Sequence, residues 1–443
     1  MNLSQEIINS VEQWHEQVSN QPDQTKSLAA IEQAAKALGQ RLAHLALSHL
    51  LDQLGTGYDR STRPCKCGGR MRFERYCEKE IRTLVGEVTL KRAYYRCRSC
   101  RASSFPLDEL LGQTQREVSP ALARSLALLS AHLSFSESER VLEEILGVKL
   151  SARQIENIAE SIGEEAEIRQ QEEDERAAFC PMEKMTGPDQ RASRIFIIEM
   201  DGVQIGLQQG RWQEVKCAVI YEVNQRVEIS PGRWELLKKT KCVLRGEVGA
   251  FRRRLWALCL RAGIRETDTI VVLGDGAEWI DQTAEILFPG AIRILDFFHA
   301  SERVWAVGKA RWGEGSQQAE RWAEEKARQM KEGKIKEVIK SMTRLRMRGE
   351  EGVRVRREAV NYLKARREQM RYEEYEKKGL PRGSGAVESA CKQMVSARCK
   401  QAGMRWSEKG ADAILALRSY VVNDRFDELC PKPEISIEWK KVA

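Results

Sequence analysis

The chain has 443 residues, 42% of them hydrophobic and 31% charged, which suffices for sizeable cores and excludes global disorder. Its 73 Lys and Arg against 65 Asp and Glu leave a net charge of +8, too small an excess for a basic tail protein. At roughly 150 residues per domain, the length predicts about three domains.

Residues 1–60 read as an N-terminal helical region. Leu42, Leu45, Leu47, Leu50 and Leu51 fall at helical spacing, and Gly55 and Gly57 close the run. The opening MNLSQEIINS has no basic stretch followed by an apolar one, which predicts no signal peptide. No run approaches 18 apolar residues, which predicts no membrane span. Twelve cysteines scattered along a long chain predict a reducing cytoplasm, with paired cysteines serving a metal.

Residues 61–110 change character, with β-type runs at 81–85 and 88–90 around Gly86 and cysteine pairs at either end. Within 61–105 there are 12 basic and 4 acidic side chains. Residues 111–178 return to helix. Ser119-Pro120 is an N-cap with proline at the first position, Ser136 to Glu139 spells a capping box, and Gly147 is a stop. Ser151 to Gln154 is a second capping box, after which Ile155, Ile158, Ala159 and Ile162 repeat on one face. An acidic stretch and a linker with Pro181, Gly187 and Pro188 follow.

From 190 to 300 the pattern is α/β. Apolar strands are predicted at 194–200, 214–221, 241–244, 269–273 and 291–295, with a helix near 247–262. Residues 301–380 read as a basic helical insertion, and 303–382 hold 23 basic against 13 acidic side chains. Residues 381–425 supply the last helices after Pro381-Arg-Gly-Ser-Gly385, and 426–443 form a C-terminal tail. Clustered positive charge in two segments is the footprint of a polyanion binder.

Two aspartates are expected at strand ends, Asp201 in Met200-Asp-Gly-Val203 and Asp275 in Leu273-Gly-Asp-Gly-Ala277. Carboxylates at the ends of adjacent buried strands can share hard divalent cations. A third, Glu388, lies in Gly383-Ser-Gly-Ala-Val-Glu-Ser389, with Ser384 as the expected N-cap, so it falls in the first turns of a helix. Between these three acids lie 73 and 112 residues.

Strand–Asp, strand–Asp, long helical insertion and helix–Glu resemble the DDE transposases with an RNase H-like core. The strings Leu273-Gly-Asp-Gly-Ala-Glu-Trp-Ile280, Leu295-Asp-Phe-Phe-His-Ala300, Gly383 to Ser389 and Gly403-Met-Arg-Trp-Ser407 resemble bacterial insertion-sequence transposases of the ISKra type, distant relatives of the Mutator-like group. The resemblance covers residues 60 to 425. It implies a multidomain α+β protein in which an RNase H-like α/β core follows a zinc-ribbon-like module and a helical DNA-binding region. It implies that Asp201, Asp275 and Glu388 bind Mg²⁺ (or Mn²⁺) and catalyse strand cleavage at transposon ends and strand transfer. Asp296 and His299 resemble the Asp-x-x-His element of Mutator-like transposases. Asp296 is also the rival of Asp275 as second metal ligand, or else a plain helix cap. The partners implied are double-stranded DNA and further copies of the chain, as a homodimer or higher oligomer, in the cytoplasm at the nucleoid.

Cys65, Cys67, Cys97 and Cys100 form a two-plus-two set suited to one Zn²⁺ and resemble the zinc-ribbon-like module of those transposases. Cys65-Lys-Cys67 departs from the usual two-residue gap and leaves Cys77 as a substitute ligand; the remaining cysteines read as core. Arg92 and Arg96, among basic residues interleaved with aromatics, are expected at DNA, or the aromatics make a small core. Residues 136–162 suit a helix-turn-helix with Arg153, Gln154 and Asn157 at base edges, or a plain hairpin. Arg344, Arg346, Arg348, Arg354, Arg356 and Arg357, with Lys392 and Arg398, are assigned to the DNA backbone. Two other functions fit the same residues: a non-catalytic zinc-ribbon regulator derived from a transposase, and an RNase H-like nuclease that cuts without joining.

Overall fold

The structure, a computed structural model, describes residues 2–22, 26–113, 116–182, 194–231 and 233–433. Gly187 and Pro188 of the expected linker and the end of the C-terminal tail lie outside them. The chain divides into two compact units, residues 1–159 with 430–443, and residues 160–429.

In the first unit the N-terminal region is two helices, α1 (Leu3–Ser19) and α2 (Leu28–Gln53). Asn2 and Ser27 accept backbone N–H bonds at their starts. A four-stranded antiparallel sheet follows in the order β1 (Thr62–Pro64), β2 (Arg70–Thr83), β3 (Gly86–Cys97), β4 (Ser103–Ser104). The long β2–β3 hairpin has two small apolar clusters. Cys65, Met71, Ala93, Tyr95 and Cys97 gather at one end, and Ile81, Val88 and Leu90 meet Leu47 and Leu51 of α2 at the other.

Helices α3 (Pro106–Leu110), α4 (Pro120–His132), α5 (Phe135–Leu146) and α6 (Ala152–Ala178) complete the unit, with α6 continuing into the second. Ser119 caps α4 and Gly147 ends α5 in the left-handed conformation, as the sequence predicts. The capping box of α5 sits two residues earlier than expected. Ser134 and Glu137 exchange the two bonds, and Glu139 instead accepts the Ala152 N–H at the start of α6. Ser151 and Gln154 exchange theirs as predicted.

The second unit is built on a five-stranded sheet in the order β11 (Ile292–Leu295), β10 (Thr269–Gly274), β5 (Ile195–Gly206), β6 (Trp212–Glu222), β9 (Thr240–Arg245). Strands β5, β6 and β9 form an antiparallel meander, and β10 and β11 run parallel to β5. A hairpin, β7 (Arg226–Ser230) with β8 (Arg233–Leu236), interrupts the connection from β6 to β9.

Inward side chains of the sheet (Phe196, Ile198, Met200, Ile220, Val272) bury against Phe251 and Leu255 of α7 (Val248–Arg261) and Ile280 of α8 (Glu278–Leu287). Each is worth about 1.5–3 kcal/mol relative to exposure. The insertion is α9 (Phe297–Trp312), α10 (Gln317–Lys331), α11 (Ile335–Arg344), α12 (Gly349–Ala365) and α13 (Tyr372–Lys377). Trp312 and Trp322 pack within it, half-buried, with centroids 5.5 Å apart and planes tilted by 54°.

The expected final helix is broken. Helix α14 (Gly385–Ala390) passes through a π turn at Cys391–Ser396 into α15 (Ala397–Cys399), and then come α16 (Glu408–Val422) and α17 (Phe426–Leu429). Asn423 both accepts from and donates to the backbone of Lys241, at 2.8 Å each, which locks the end of α16 to edge strand β9. Among the described residues no helix is long and apolar enough to cross a membrane.

Candidate functional site

The parallel register aligns three aspartates. Met200 of β5 pairs with Gly274 of β10, and Gly274 with Leu295 of β11. Asp201, Asp275 and Asp296 are each the next residue, so three neighbouring strands present a carboxylate at one level. The sequence reading is corrected at Asp201. It does not follow the strand but lies within it, because β6 pairs with β5 on to Gly206, well past the end of β10. Burial raises the Asp201 carboxyl above its usual range, and the charge of Asp275 adds to the rise. Asp275 opens the turn into α8 and accepts the Ala277 N–H at 2.8 Å. Gly276 next to it has φ +83°, and a Cβ there would meet the Arg366 side chain at 2.4 Å.

Asp275 and Asp296 differ in how their carboxylates are held. Asp296 is 2% exposed and saturated. It caps α9 through the His299 N–H (2.8 Å), lies 3.2 Å from His299 Nδ1, and accepts from the Ser384 N–H (2.5 Å) and Oγ (2.7 Å). Burial pushes its carboxyl up, but the bonds from His299 and Ser384 outweigh it and hold the group below its usual range. The Asp296 carboxylate beside it lifts His299 to about 9, so this imidazole is cationic at neutral pH. Asp296 thus fastens the start of α9 to Ser384, whereas Asp275 is half-buried and accepts from the turn into α8. Ser384 is not the side-chain cap expected of it: its hydroxyl is spent on Asp296.

Helix α14 carries Glu388 in its first turn, as predicted. It is tied to the sheet and its loops at three points. Ser384 binds Asp296, Val387 donates its N–H to Glu199 Oε2 at 2.9 Å, and the Cys391 thiol reaches Asp201 Oδ2 at 3.9 Å. Cys391 stands three residues after Glu388, on a neighbouring part of the same helical face. The Glu388 side chain is exposed and pairs with Lys392 at 2.7 Å.

Sequence reasoning passed over Glu199. It is 1% exposed, accepts from the Tyr221 hydroxyl at 2.7 Å, and is pushed up to about 7 by burial. Its signal was a carboxylate inside the apolar run Ile-Phe-Ile-Ile-Glu-Met. Also passed over was the grip of the insertion on the Asp275 turn. The Tyr362 hydroxyl donates to the Asp275 carbonyl, and Arg366 donates to the carbonyl of Gly276. Tyr372 donates to the Leu295 carbonyl at 3.0 Å.

The cysteine set comes together. Cys65, Cys67, Cys97 and Cys100 have sulfurs within 4.8 Å of one another, with Cys65–Cys100 at 3.5 Å and Cys67–Cys97 at 3.7 Å. A tetrahedral Zn²⁺ with bonds of about 2.3 Å separates its sulfurs by roughly 3.8 Å, so this cluster could bind a metal such as zinc. Two turns make it. Cys65 accepts at its carbonyl from Gly68 and donates to Gly69, and Cys97 donates to Ala102. N–H groups of Cys100 and Ser99 hold the Cys97 thiol down at about 6. Cys77 is outside the cluster and takes a bond from Arg75 at 3.4 Å. Cys217, Cys242, Cys259, Cys391 and Cys399 are buried as expected, but Cys180 is exposed and Cys430 half-buried.

The expected DNA contacts divide. Arg96 is exposed opposite Arg72, and Arg344, Arg346, Arg348, Arg357 and Lys392 are exposed. Arg153 and Asn157 are exposed, with Arg153 paired to Glu156, while Gln154 serves the capping box. Two assignments are overturned. Arg92 is 8% exposed, bonded to Asp108 and stacked on Phe105; Arg398 is 0% exposed and lies over Trp406. Neither can reach a phosphate. Arg354 bridges Glu351 and Glu358 on its own helix, and Arg356 donates to the carbonyls of Thr343 and Leu345.

A family model for an uncharacterised protein family, UPF0236, matches residues 23–426. The chain is also 24% identical over 369 residues to a Streptococcus gallolyticus protein named "UPF0236 protein in vanSb 3'region", a match covering 80% of this chain and 75% of that protein.

Proposed function

The chain belongs to the uncharacterised protein family UPF0236, and we propose that it is a DDE-type DNA transposase with an RNase H-like core. The observation that carries the reading is the level row of carboxylates, Asp201 within β5 and Asp275 just after β10, with the Glu388 helix fastened across it. The strand order supports the core assignment: three antiparallel strands, then two parallel ones added beside the first.

Asp201 and Asp275 fit divalent cations. They are oxygen donors, burial and then the Asp275 charge raise the Asp201 carboxyl, and a cation would relieve that cost. When bound, two Mg²⁺ ions would activate a water or 3′-hydroxyl and stabilise the leaving 3′-oxygen of an in-line displacement. Asp201 and Asp275 would hold those ions from adjacent strands inside the sheet. Glu388 joins from a helix whose first turn is pinned by Ser384 and Val387. Cationic His299 adds positive charge beside the acids. Arg344, Arg346 and Arg348, on the turn between α11 and α12, suit the DNA backbone, as do Arg72 and Arg96 beside the cysteine cluster. The cluster is read as a zinc ribbon, and pairing of two DNA ends implies at least a homodimer.

The test is Asp201→Asn, Asp275→Asn and Glu388→Gln in Mg²⁺- or Mn²⁺-dependent end cleavage and strand transfer. Each should lose cleavage by at least about 100-fold with DNA binding retained. Wild-type activity in all three would falsify the reading. Cleavage without joining would instead identify a nuclease.

A further inference from the structure

Helix α14, which carries Glu388, has no side-chain cap from its own segment. The first N–H groups of any helix find no acceptor inside it. A capping side chain ordinarily takes the second or third of them, which here are Ala386 and Val387. Ser384 stands at the capping position but gives its hydroxyl to Asp296. With six residues the helix is also too short to hold itself together. Its lead-in, Gly383-Ser-Gly385, leaves the backbone many paths.

The missing cap comes from β5. Glu199 Oε2 accepts the Val387 N–H at 2.9 Å, and the Ala386 N–H acts on the same carboxyl. The Tyr221 hydroxyl of β6 holds the other oxygen, Oε1, at 2.7 Å and keeps the carboxylate from turning away. Glu199 stands two residues before Asp201, on the same face of β5. Val387 stands four residues before Cys391, whose thiol meets Asp201 Oδ2 at 3.9 Å. Two steps along a strand cover about 6.7 Å, and four along a helix about 6 Å. The two contacts are matched rungs, so the stretch from Val387 to Cys391 runs along β5. Glu388 lies between the rungs, next to the first.

We propose that Glu199 is a positioning residue: it caps α14 from the strand that carries Asp201, and so sets the spacing of Glu388 from that aspartate. One strand then bears the first acid and clamps the helix of the third. Asp296 holds the entry to α14 at Ser384, while Glu199 holds the turn beside Glu388. Without Glu199 the helix keeps its entry and loses its aim. The inference rests on the reading of Asp201 and Glu388 as the metal-binding acids of a transposase.

The experiment compares the full-length wild type with Glu199→Ala, Glu199→Gln and Tyr221→Phe. Hydrogen–deuterium exchange of the metal-free proteins reads the amides of residues 385–388. Glu199→Ala should speed that exchange several-fold. Glu199→Gln should stay near wild type, because its amide oxygen can accept from Val387 and its NH2 can donate to the Tyr221 oxygen. Cleavage of end DNA with Mg²⁺ then reads the consequence. In Glu199→Ala kcat should fall about 100-fold, the cost of a misplacement of roughly 1 Å. DNA affinity should not change, since Glu199 is 1% exposed and out of reach of DNA. Glu199→Gln should recover cleavage to within a few-fold. Tyr221→Phe takes a bond from the same carboxylate and none from the helix, so it controls for lost stability and should cleave within a few-fold of wild type. If Glu199→Ala does not fold, Glu199→Asp, which withdraws the carboxylate by one methylene, takes its place with the same expected directions. Unchanged exchange at 385–388 overturns the proposal without any DNA assay. So does full cleavage by Glu199→Ala, or an equal loss in Tyr221→Phe. A wild type that cleaves no DNA removes the transposase reading, and the catalytic half of the proposal with it, whatever the exchange shows.

Discussion

Replacing Asp296 by Asn removes one carboxylate and leaves its shape. In the wild type this group lifts His299 from an ordinary 6.5 to about 9. At about 1.36 kcal/mol per tenfold, that rise corresponds to at most roughly 3.4 kcal/mol of coupling. The His299 side chain is 44% exposed, so water screens the pair to about 1–2 kcal/mol. A histidine raised on folding stabilises below its unfolded value, near 6.5, and that contribution fades as pH climbs through about 9. Wild-type stability should therefore fall by about 1–2 kcal/mol between pH 6.5 and 9.5 through this pair, and Asp296→Asn should lack that component. A pH-independent loss is also expected. The amide's NH2 turns a donor toward Ser384 or His299, and each buried donor left without an acceptor costs about 1–3 kcal/mol. Thermal unfolding of wild type and variant at pH 6.5, 8 and 9.5 separates the two effects. If the difference between the proteins is the same at all three pH values, Asp296 does not couple to His299 as described.

Other outcomes follow from the same contacts. Cys97→Ser with Cys100→Ser should abolish stoichiometric zinc by metal analysis and lower the melting transition of the first unit, with the second unit's transition unmoved. Glu199→Ala should destabilise the second unit by about 3 kcal/mol in urea unfolding, because the Tyr221 hydroxyl and Val387 N–H lose their buried acceptor. Gly276→Ala combines positive φ with a clash against Arg366 and should cost about 1–3 kcal/mol in the same measurement. Arg344→Ala with Arg346→Ala and Arg348→Ala should weaken DNA binding and flatten its logarithmic salt slope by up to about 3, whereas Arg92→Ala should reduce stability with no change in that slope. An unchanged slope in the triple variant removes those three from the DNA contact.

The five strands of the second unit's main sheet were legible because each is an apolar run bounded by turn residues, and the order of the chain is the order of the meander and its two parallel additions. Glu388 in a first turn was legible from Gly383-Ser-Gly385. The two-plus-two cysteine set was legible from its spacing and the resemblance, but the choice of Cys67 over Cys77 needed the fold. What failed had a common cause. Arg92 and Arg398 look like surface cations in a string of letters, and only tertiary partners, Asp108 and Phe105 for one and Trp406 for the other, reveal that they are buried. Ser384 has the residue type of a cap, but a buried carboxylate 88 positions away competes for its hydroxyl. Asp201 was misplaced because local hydropathy ends at Met200, while pairing with β6 carries the strand further. The β7–β8 hairpin escaped notice because its side chains, Val227, Ile229 and Trp234 among them, stay exposed and leave no clean apolar alternation.

The bond from Ser384 to Asp296 joins residues 88 apart and encloses the helices α9 to α13 between its ends. Such a neck makes the enclosed segment a loop in the polymer sense. Once the neck is closed, doubling the loop would cost only about 0.6 kcal/mol of further closure entropy. The cationic helices are thus free to lengthen, shorten or be exchanged over evolution, provided they keep the Tyr362 and Arg366 grip on the Asp275 turn. The acids on either side of the neck would stay in register throughout.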